Sequence, residues 1–406
     1  MARIERLESP FEIEELFFSR TDRRGIILSG NSVFQRVSAY NWNELLSKPH
    51  NVIRHPDMPK GVFHLLWNNL LKNLPVAAYV KNLSKDGRFY WVLALALPFK
   101  DQFISIRLKP TSSTFQLIAG FYEELLATEL KSKLSPEASH KLIEEKVKSL
   151  GFDNYAHFMS YALSEEMKAR QEALSKKNVA TNQNLLTSFL EQEKLVKLSE
   201  EISKSTQSIL NAYKNNRFVA LNLQVDALKS SSGQTMGTVA AHFQKMASEI
   251  EAEVNRFDNL ATTTRAELRH AQFLFLSGQL VREMAKVFSS EKTTHDAMKD
   301  DQEFLKELAE TYRASVSNTV MRTQDVIRTF GSSCNDVAAI NNGLEIIRLT
   351  GKIEASRSSE WKACADIIDG LRGFLTFSRD TINQIQSSHF QMKSILDVAS
   401  RKERRL

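Results

Sequence analysis

All eight prolines of this 406-residue chain lie at or before Pro136, and residues 137 to 406 contain none. Proline is the strongest helix breaker, because it lacks an N–H and its ring clashes with the preceding turn. A proline-free stretch of that length predicts long, continuous helices. Glycine is also sparse there, and three of the four tryptophans lie before residue 92. The chain thus divides near residues 112–136 into a compact α+β part and an all-helical remainder.

The remainder carries a heptad-like period. Ile368, Leu371, Leu375, Ile382, Ile385, Met392 and Leu396 follow in steps of three and four once polar Ser378 and His389 join the seam. Phe243, Met246, Ile250, Phe257 and Leu260 form a second seam. Such seams build coiled coils or long bundles. Residues 289–296 are polar enough for a turn. Arms at 175–228, 237–288, 298–356 and 361–400 then run up, down, up and down, each spanning ~75 Å. Residues 138–175 form a separate helical block, broken at Gly151-Phe152-Asp153, which reads as a connector.

Composition narrows the function classes. The net charge of +6 is mild, and its basic residues are interleaved with acids. A nucleic-acid binder would carry a basic face with aromatics, so that class is set aside. The Arg401-Lys402-Glu403-Arg404-Arg405 run reads as a solvated helix end. The longest apolar run, Trp91–Phe99, is far below the ~20 residues of a membrane-spanning helix. The N-terminus has no signal-peptide core. Cys334 and Cys364 fit neither a disulfide framework nor a metal site. The expected location is the cytoplasm. The nine histidines are dispersed, and no nucleophile–base pair or metal cluster stands out, so an enzyme is not expected.

The most unusual stretch is His50-Asn51-Val52-Ile53-Arg54-His55-Pro56-Asp57-Met58-Pro59. Its prolines fix the backbone, and its polar side chains look placed rather than merely solvated. Before it comes Asn31-Ser32-Val33-Phe34-Gln35-Arg36-Val37-Ser38-Ala39-Tyr40. After it, Ala77–Leu83 and Phe89–Pro98 predict a β-hairpin across the Lys85-Asp86-Gly87-Arg88 turn, with Gly87 suited to a positive φ. Phe103–Arg107 predicts a further strand, and Gly61–Lys72 a short helix. These three blocks resemble the PAS sensor domain of bacterial aerotaxis receptors. That family runs N-x-x-F-x-x-V-S-G-Y, P-H-N-x-x-R-H-P-D-M-P and V-K-N-x-x-K-x-G-x-x-Y-W-V. Only the glycine of the first block departs, to Ala39. The resemblance implies a PAS domain at 13–112 that binds FAD through Asn51, Arg54, His55, Asp57 and Trp91. Arg54 and His55 would meet phosphate or ring acceptors and Trp91 would stack, so Ala at Arg54 or Trp91 should empty the site. Haem is the competing cofactor, with His50, His55 and His64 as ligand candidates.

A second resemblance lies in the helical half. Leu349–Glu360 is similar to the hairpin tip of chemoreceptor signalling domains, and Trp361–Ile368 to its return arm, with about four residues of the glycine-rich bend missing. Leu221–Lys229 and Gly237–Ala241 form a fainter copy. Asp226 and Glu354 are 128 positions apart, as are Lys229 and Arg357. The resemblance implies a degenerate chemoreceptor-like four-helix bundle at 176–400, supplied by one chain and joined to the sensor by a connector at 113–175. Glu354, Arg357, Asp226 and Lys229 would face an adaptor and a histidine kinase. The expected fold is an α+β PAS domain followed by a long antiparallel all-α bundle. The expected function is a redox- or oxygen-sensing transducer. The alternative is a PAS-containing scaffold that no longer couples to a kinase. A homo-oligomer stays open.

Overall fold

A computed structural model describes residues 7–177, 183–228, 234–290, 296–357 and 362–403. It groups them into two compact units. The first spans residues 1–186 and 269–318, the second 187–268 and 319–406.

The first unit is built on a five-stranded antiparallel sheet in the order β2-β1-β5-β4-β3. The strands are β1 (Phe17–Asp22), β2 (Ile27–Gly30), β3 (Val76–Leu83), β4 (Phe89–Phe99) and β5 (Gln102–Leu108). Between β2 and β3 lie α1 (Ser32–Ser38), α2 (Trp42–Leu45), a 3-10 turn (His50–Ile53) and α3 (Lys60–Leu70). The sequence dictates these starts and stops. Asn31 is fully buried. Its Oδ1 accepts from the Phe34 N–H at 3.2 Å, capping α1, and from the Phe18 N–H at 2.9 Å. One side chain thus ties α1 to β1. Gly87 takes φ 92 in the β3–β4 turn.

Strand alternation sorts side chains onto two faces. Phe17 pairs with Arg107, Arg107 with Ala94, and Asn82 with Tyr90, so Phe17, Ser19, Asn82, Tyr90, Ala94 and Arg107 share the inner face. Phe18, Arg20, Tyr79, Trp91, Leu95 and Ile106 share the outer face.

Three further helices, α4 (Ser113–Ser132), α5 (Pro136–Ser149) and α6 (Tyr155–Lys176), belong to the same unit. Phe115 of α4 packs on Tyr79 and Trp91 of the outer face. Buried Glu166 of α6 accepts from the Tyr79 hydroxyl (2.9 Å) and the Thr111 N–H (2.7 Å). Glu129 of α4 accepts from the N–H groups of Lys60 and Gly61 at 3.1 and 3.2 Å, and from the Ser139 hydroxyl of α5. That carboxylate caps α3, whose own preceding residue is proline. The block 113–175 is therefore packed against the sheet and α3 rather than strung out from them.

The second unit gathers α7 (Gln183–Leu228) from residue 187 onward, α10 (Lys362–Glu403) and the parts of α8 (Gln234–Ser290) and α9 (Asp296–Ala355) outside 269–318. One apolar core draws on all four helices, including Ile202 and Ile209, Val254 and Phe257, Ile327 and Phe330, and Leu371 and Leu375. Phe257 stacks on Phe330 and Glu253 accepts from the Ser333 hydroxyl, so α8 and α9 run antiparallel. Asn341 reaches the Leu375 carbonyl, and Gln386 reaches Asn335, so α9 and α10 do as well. The α10 seam is buried at each apolar position. Phe243, Met246 and Ile250 of the other seam have side chains outside the described residues. No helix among the described residues is long and apolar enough to cross a membrane.

Candidate functional site

The inner face of the sheet holds a buried cation. Arg107 is only 4 % exposed. Its Nη2 donates to the Ser19 hydroxyl at 2.7 Å and meets His50 Nε2 at 2.5 Å. The guanidinium lies 5.3 Å from the centre of the Phe34 ring. Among the described residues no carboxylate pairs with it, and its Nη1 has no partner. Burial lowers the guanidinium to about 10. Burial first and then Arg107 lower His50 to about 3, so its imidazole is neutral and Nε2 serves as acceptor. Phe34 stacks on His50 and Phe17 on Tyr90.

Two more buried polar atoms on this face lack partners, the Tyr90 hydroxyl and Asn82 Nδ2. Burial raises the Tyr90 phenol, so its proton stays on. All three groups are therefore hydrogen-bond donors aimed into the domain. Leaving buried donors unmet costs about 1–3 kcal/mol each. A buried unpaired cation costs more.

The 50–59 stretch follows the edge strand. Arg54 bridges its backbone to Asn82 of β3. The Arg54 guanidinium sits 3.8 Å from the Phe63 ring centre. Burial lowers it and Glu129 opposes that shift. His55 is buried, and its Nδ1 accepts from the Asp57 N–H at 3.1 Å. That bond assigns the proton to Nε2, which has no partner. Burial and Lys81 lower the imidazole, against Asp57. Asp57 is half-exposed and pairs with Lys81 at 2.8 Å.

Arg54, His55 and Asp57 thus stand together along β3. Asn51 is exposed one turn earlier, and its carbonyl accepts from the Arg54 N–H. Trp91 lies on the sheet's other face, 5.3 Å from Phe115, because β4 turns Tyr90 inward. Asn82, Tyr90 and Arg107 are not among the flavin contacts that the resemblance implies, and His50 enters there only as a haem-ligand candidate. Asn82 and Tyr90 sit inside the V-K-N…Y-W-V block, and period-two alternation separates Tyr90 from Trp91. His64 Nδ1 lies 3.0 Å from His140 Nδ1. Among the described residues no group of three or more histidine, cysteine or acidic side chains is placed to hold a metal.

At the helical end, Glu354 and Arg357 pair with each other at 2.9 Å. Lys229 and the side chain of Asp226 lie outside the described residues.

Residues 27–104 match the family model described as the PAS fold. The chain is 36% identical over 124 residues to the aerotaxis receptor of Escherichia coli (strain K12), which covers 29% of this chain and 24% of that protein. The chain thus spans about a quarter of the length of the curated relative it matches. Among solved structures, the LOV domain of the Erythrobacter litoralis EL346 blue-light activated histidine kinase matches at 16% identity. It covers 23% of this chain and 94% of that one, with a TM-score of 0.22. The light-state structure of the blue-light photoreceptor Aureochrome1 LOV matches at 19% identity over 28% and 90% of the two chains, again at 0.22. The sheet and its helices are a PAS domain of the aerotaxis-receptor type, followed by long helices.

Proposed function

We propose that this PAS domain binds FAD and that the chain is a sensory transducer for redox or oxygen taxis. The observation that carries the reading is the set of buried donors without partners at Asn82, Tyr90 and Arg107, with a cation that has no counter-charge. An acceptor-rich, planar ligand meets that set. The isoalloxazine ring, with carbonyl oxygens and imine nitrogens on one edge, has that chemistry. When bound, the flavin supplies the electron-accepting centre.

The chain's own groups divide the remaining work. Arg107 offers Nη1 while Ser19 and His50 hold its other nitrogen in place. Asn82 and Tyr90 offer donors along the same face. Arg54 and His55, with Asp57 orienting the imidazole through its N–H, are placed for the ligand's polar extension along β3. Asn51 and Trp91 act from outside this set, Asn51 at the surface and Trp91 through Phe115.

Haem is disfavoured by the same hydrogen bonds. A metal-bound histidine normally donates its second ring N–H to an acceptor. His55 Nδ1 instead faces a donor, and His50 Nε2 faces Arg107.

The downstream partners are proposed to be a coupling adaptor and a histidine kinase that meet the helices near Glu354, Arg357, Asp226 and Lys229. The scaffold alternative keeps support from the Glu354–Arg357 pair, which joins the end of α9 to the turn after it, since charges satisfied by an i,i+3 neighbour are worth only ~0.2–0.5 kcal/mol and need no partner. A pull-down with the full chain separates the two readings. Kinase capture that is lost in Glu354→Ala and Arg357→Ala favours the transducer, and no capture favours the scaffold.

The cofactor is tested by the visible spectrum of the purified full chain. Flavin bands are expected, with flavin content falling at least tenfold in Arg107→Leu and in Arg54→Ala, since each removes a charge-assisted contact of about 1.5–3 kcal/mol. A Soret band, a colourless protein, or full flavin in both variants overturns the assignment.

A further inference from the structure

The outer face of the PAS sheet carries a second buried charge arrangement, which the ligand reading does not use. Asp301, near the start of α9, is fully buried. Its Oδ1 lies 2.6 Å from Arg20 Nε and accepts from the Ser29 hydroxyl at 2.9 Å. Its Oδ2 has no partner. Arg20 also donates to Gln102 at 3.0 Å and lies over the Phe304 ring. Around this pair, Phe18 of β1 meets Phe288 of α8, and Phe99 of β4 meets Phe304 of α9, both edge-on. Lys100 and Glu307 close the rim at 2.6 Å. The end of the α8–α9 hairpin is thus seated on the sheet.

Three facts argue that this seat is built to let go. A buried ion pair adds little net stability, because desolvation offsets the attraction. This pair is also incompletely satisfied, with burial holding the Asp301 carboxyl above its usual range against the pull of Arg20 and Ser29. Finally, Arg20 follows Ser19 in β1. Adjacent strand residues point to opposite faces, so Ser19 receives Arg107 on the inner face while Arg20 holds Asp301 on the outer one. A shift of β1 driven from the inner face moves both residues.

We propose that Arg20 and Asp301 form a releasable clasp between the outer face of the PAS sheet and the α8–α9 end of the helical region. Both helices also supply core residues of the second unit, Val254 and Phe257 from α8 and Ile327 and Phe330 from α9. Opening the clasp therefore frees one end of helices whose other stretches are held in that core. The clasp goes beyond the cofactor reading, since the pair stands whatever the inner face binds.

Hydrogen exchange on the full chain tests it. Asp301→Asn and Arg20→Gln should each speed exchange in 301–318 and 276–290 by about tenfold, with β3–β5 and residues 371–396 unchanged. The double variant should go no further than either single one, because both remove the same interaction. Unchanged exchange at 301–318, additive effects in the double variant, or a rise spread evenly over the sheet and 371–396 overturns the clasp. If the single variants do not fold, Glu307→Lys opposes Lys100 at the exposed rim. It should speed exchange in the same segments, and wild-type exchange there overturns the clasp too.

Discussion

At the scale of single residues, Ala39 and His50 each carry a cost that can be measured. Ala39 ends α1 with φ 59, in the left-handed region. A Cβ in that region costs about 1–2 kcal/mol. The aerotaxis family pattern has glycine at this position, so the one departure in the first block falls where glycine is physically favoured. Ala39→Gly should raise stability by about 0.5–1 kcal/mol, less than the full strain because glycine also loosens the unfolded chain. A denaturant midpoint that falls instead would show that the methyl packs usefully. His50 sets a pH window. Its ordinary value is 6.5 and its folded value about 3. Between the two, the unfolded chain binds a proton that the folded one refuses, so stability is full above about pH 6.5 and falls as pH drops toward 3. Part of the His50 surface stays exposed, which trims the size of the loss but not its sign. His50→Gln keeps an acceptor for Arg107 and removes the titration. Urea midpoints at about pH 7 and about pH 5 should fall less in the variant than in the wild type. Equal falls would place the proton on His50 in the fold.

At the scale of elements, legibility follows how local the cause is. The β3–β4 hairpin, its Gly87 turn and the α10 seam were all readable, because alternation, turn chemistry and heptad spacing are written in neighbouring residues. The division of α8 and α9 between two units was not. Both helices carry apolar faces, and periodicity does not say what covers them. In the structure Phe273, Leu274, Leu276, Leu280 and Val281 are all buried, and so are Gln272 just before them and Ser277 among them. A helix enclosed on nearly every side has more than one packing partner. The inner-face donors were likewise illegible, since Arg107 lies in a strand 50 residues beyond the motif that drew attention, and only register brings it near Tyr90. Glu129 gives this scale its prediction. It reaches from α4 to cap α3 and to hold Ser139 of α5, where Gly61 permits the close approach: a Cβ at Gly61 would lie 2.6 Å from the Ser139 carbonyl carbon. Glu129→Ala should cost about 2–4 kcal/mol, the sum of lost charge-assisted bonds and two uncapped amides. Thermal unfolding measures it. A loss under about 0.5 kcal/mol would mean that water replaces the carboxylate.

At the scale of the molecule, the 128-residue spacing becomes a statement about geometry. Tyr213 of α7 lies against Asn341 of α9, its hydroxyl 3.4 Å from the Asn341 side-chain oxygen, and those positions are 128 apart. Ser378 of α10 completes the same buried polar layer at 3.2 Å. Equivalent positions of the two halves therefore sit at one level of the second unit. Asp226 and Glu354 share that spacing, and each lies 13 residues beyond its partner in the layer. If α7 and α9 run in the same direction, those 13 residues carry both chains about 20 Å further, and the two positions stay level. Neighbouring helix axes lie 8–10 Å apart, with diagonal ones roughly half as far again. Spin labels at Asp226 and Glu354 in the full chain are therefore expected within about 10–25 Å of each other. Opposed helices would drive them about 40 Å apart along the axis. A distance in that longer range would show the repeat to be accidental, and with it the idea that both degenerate tips serve one partner.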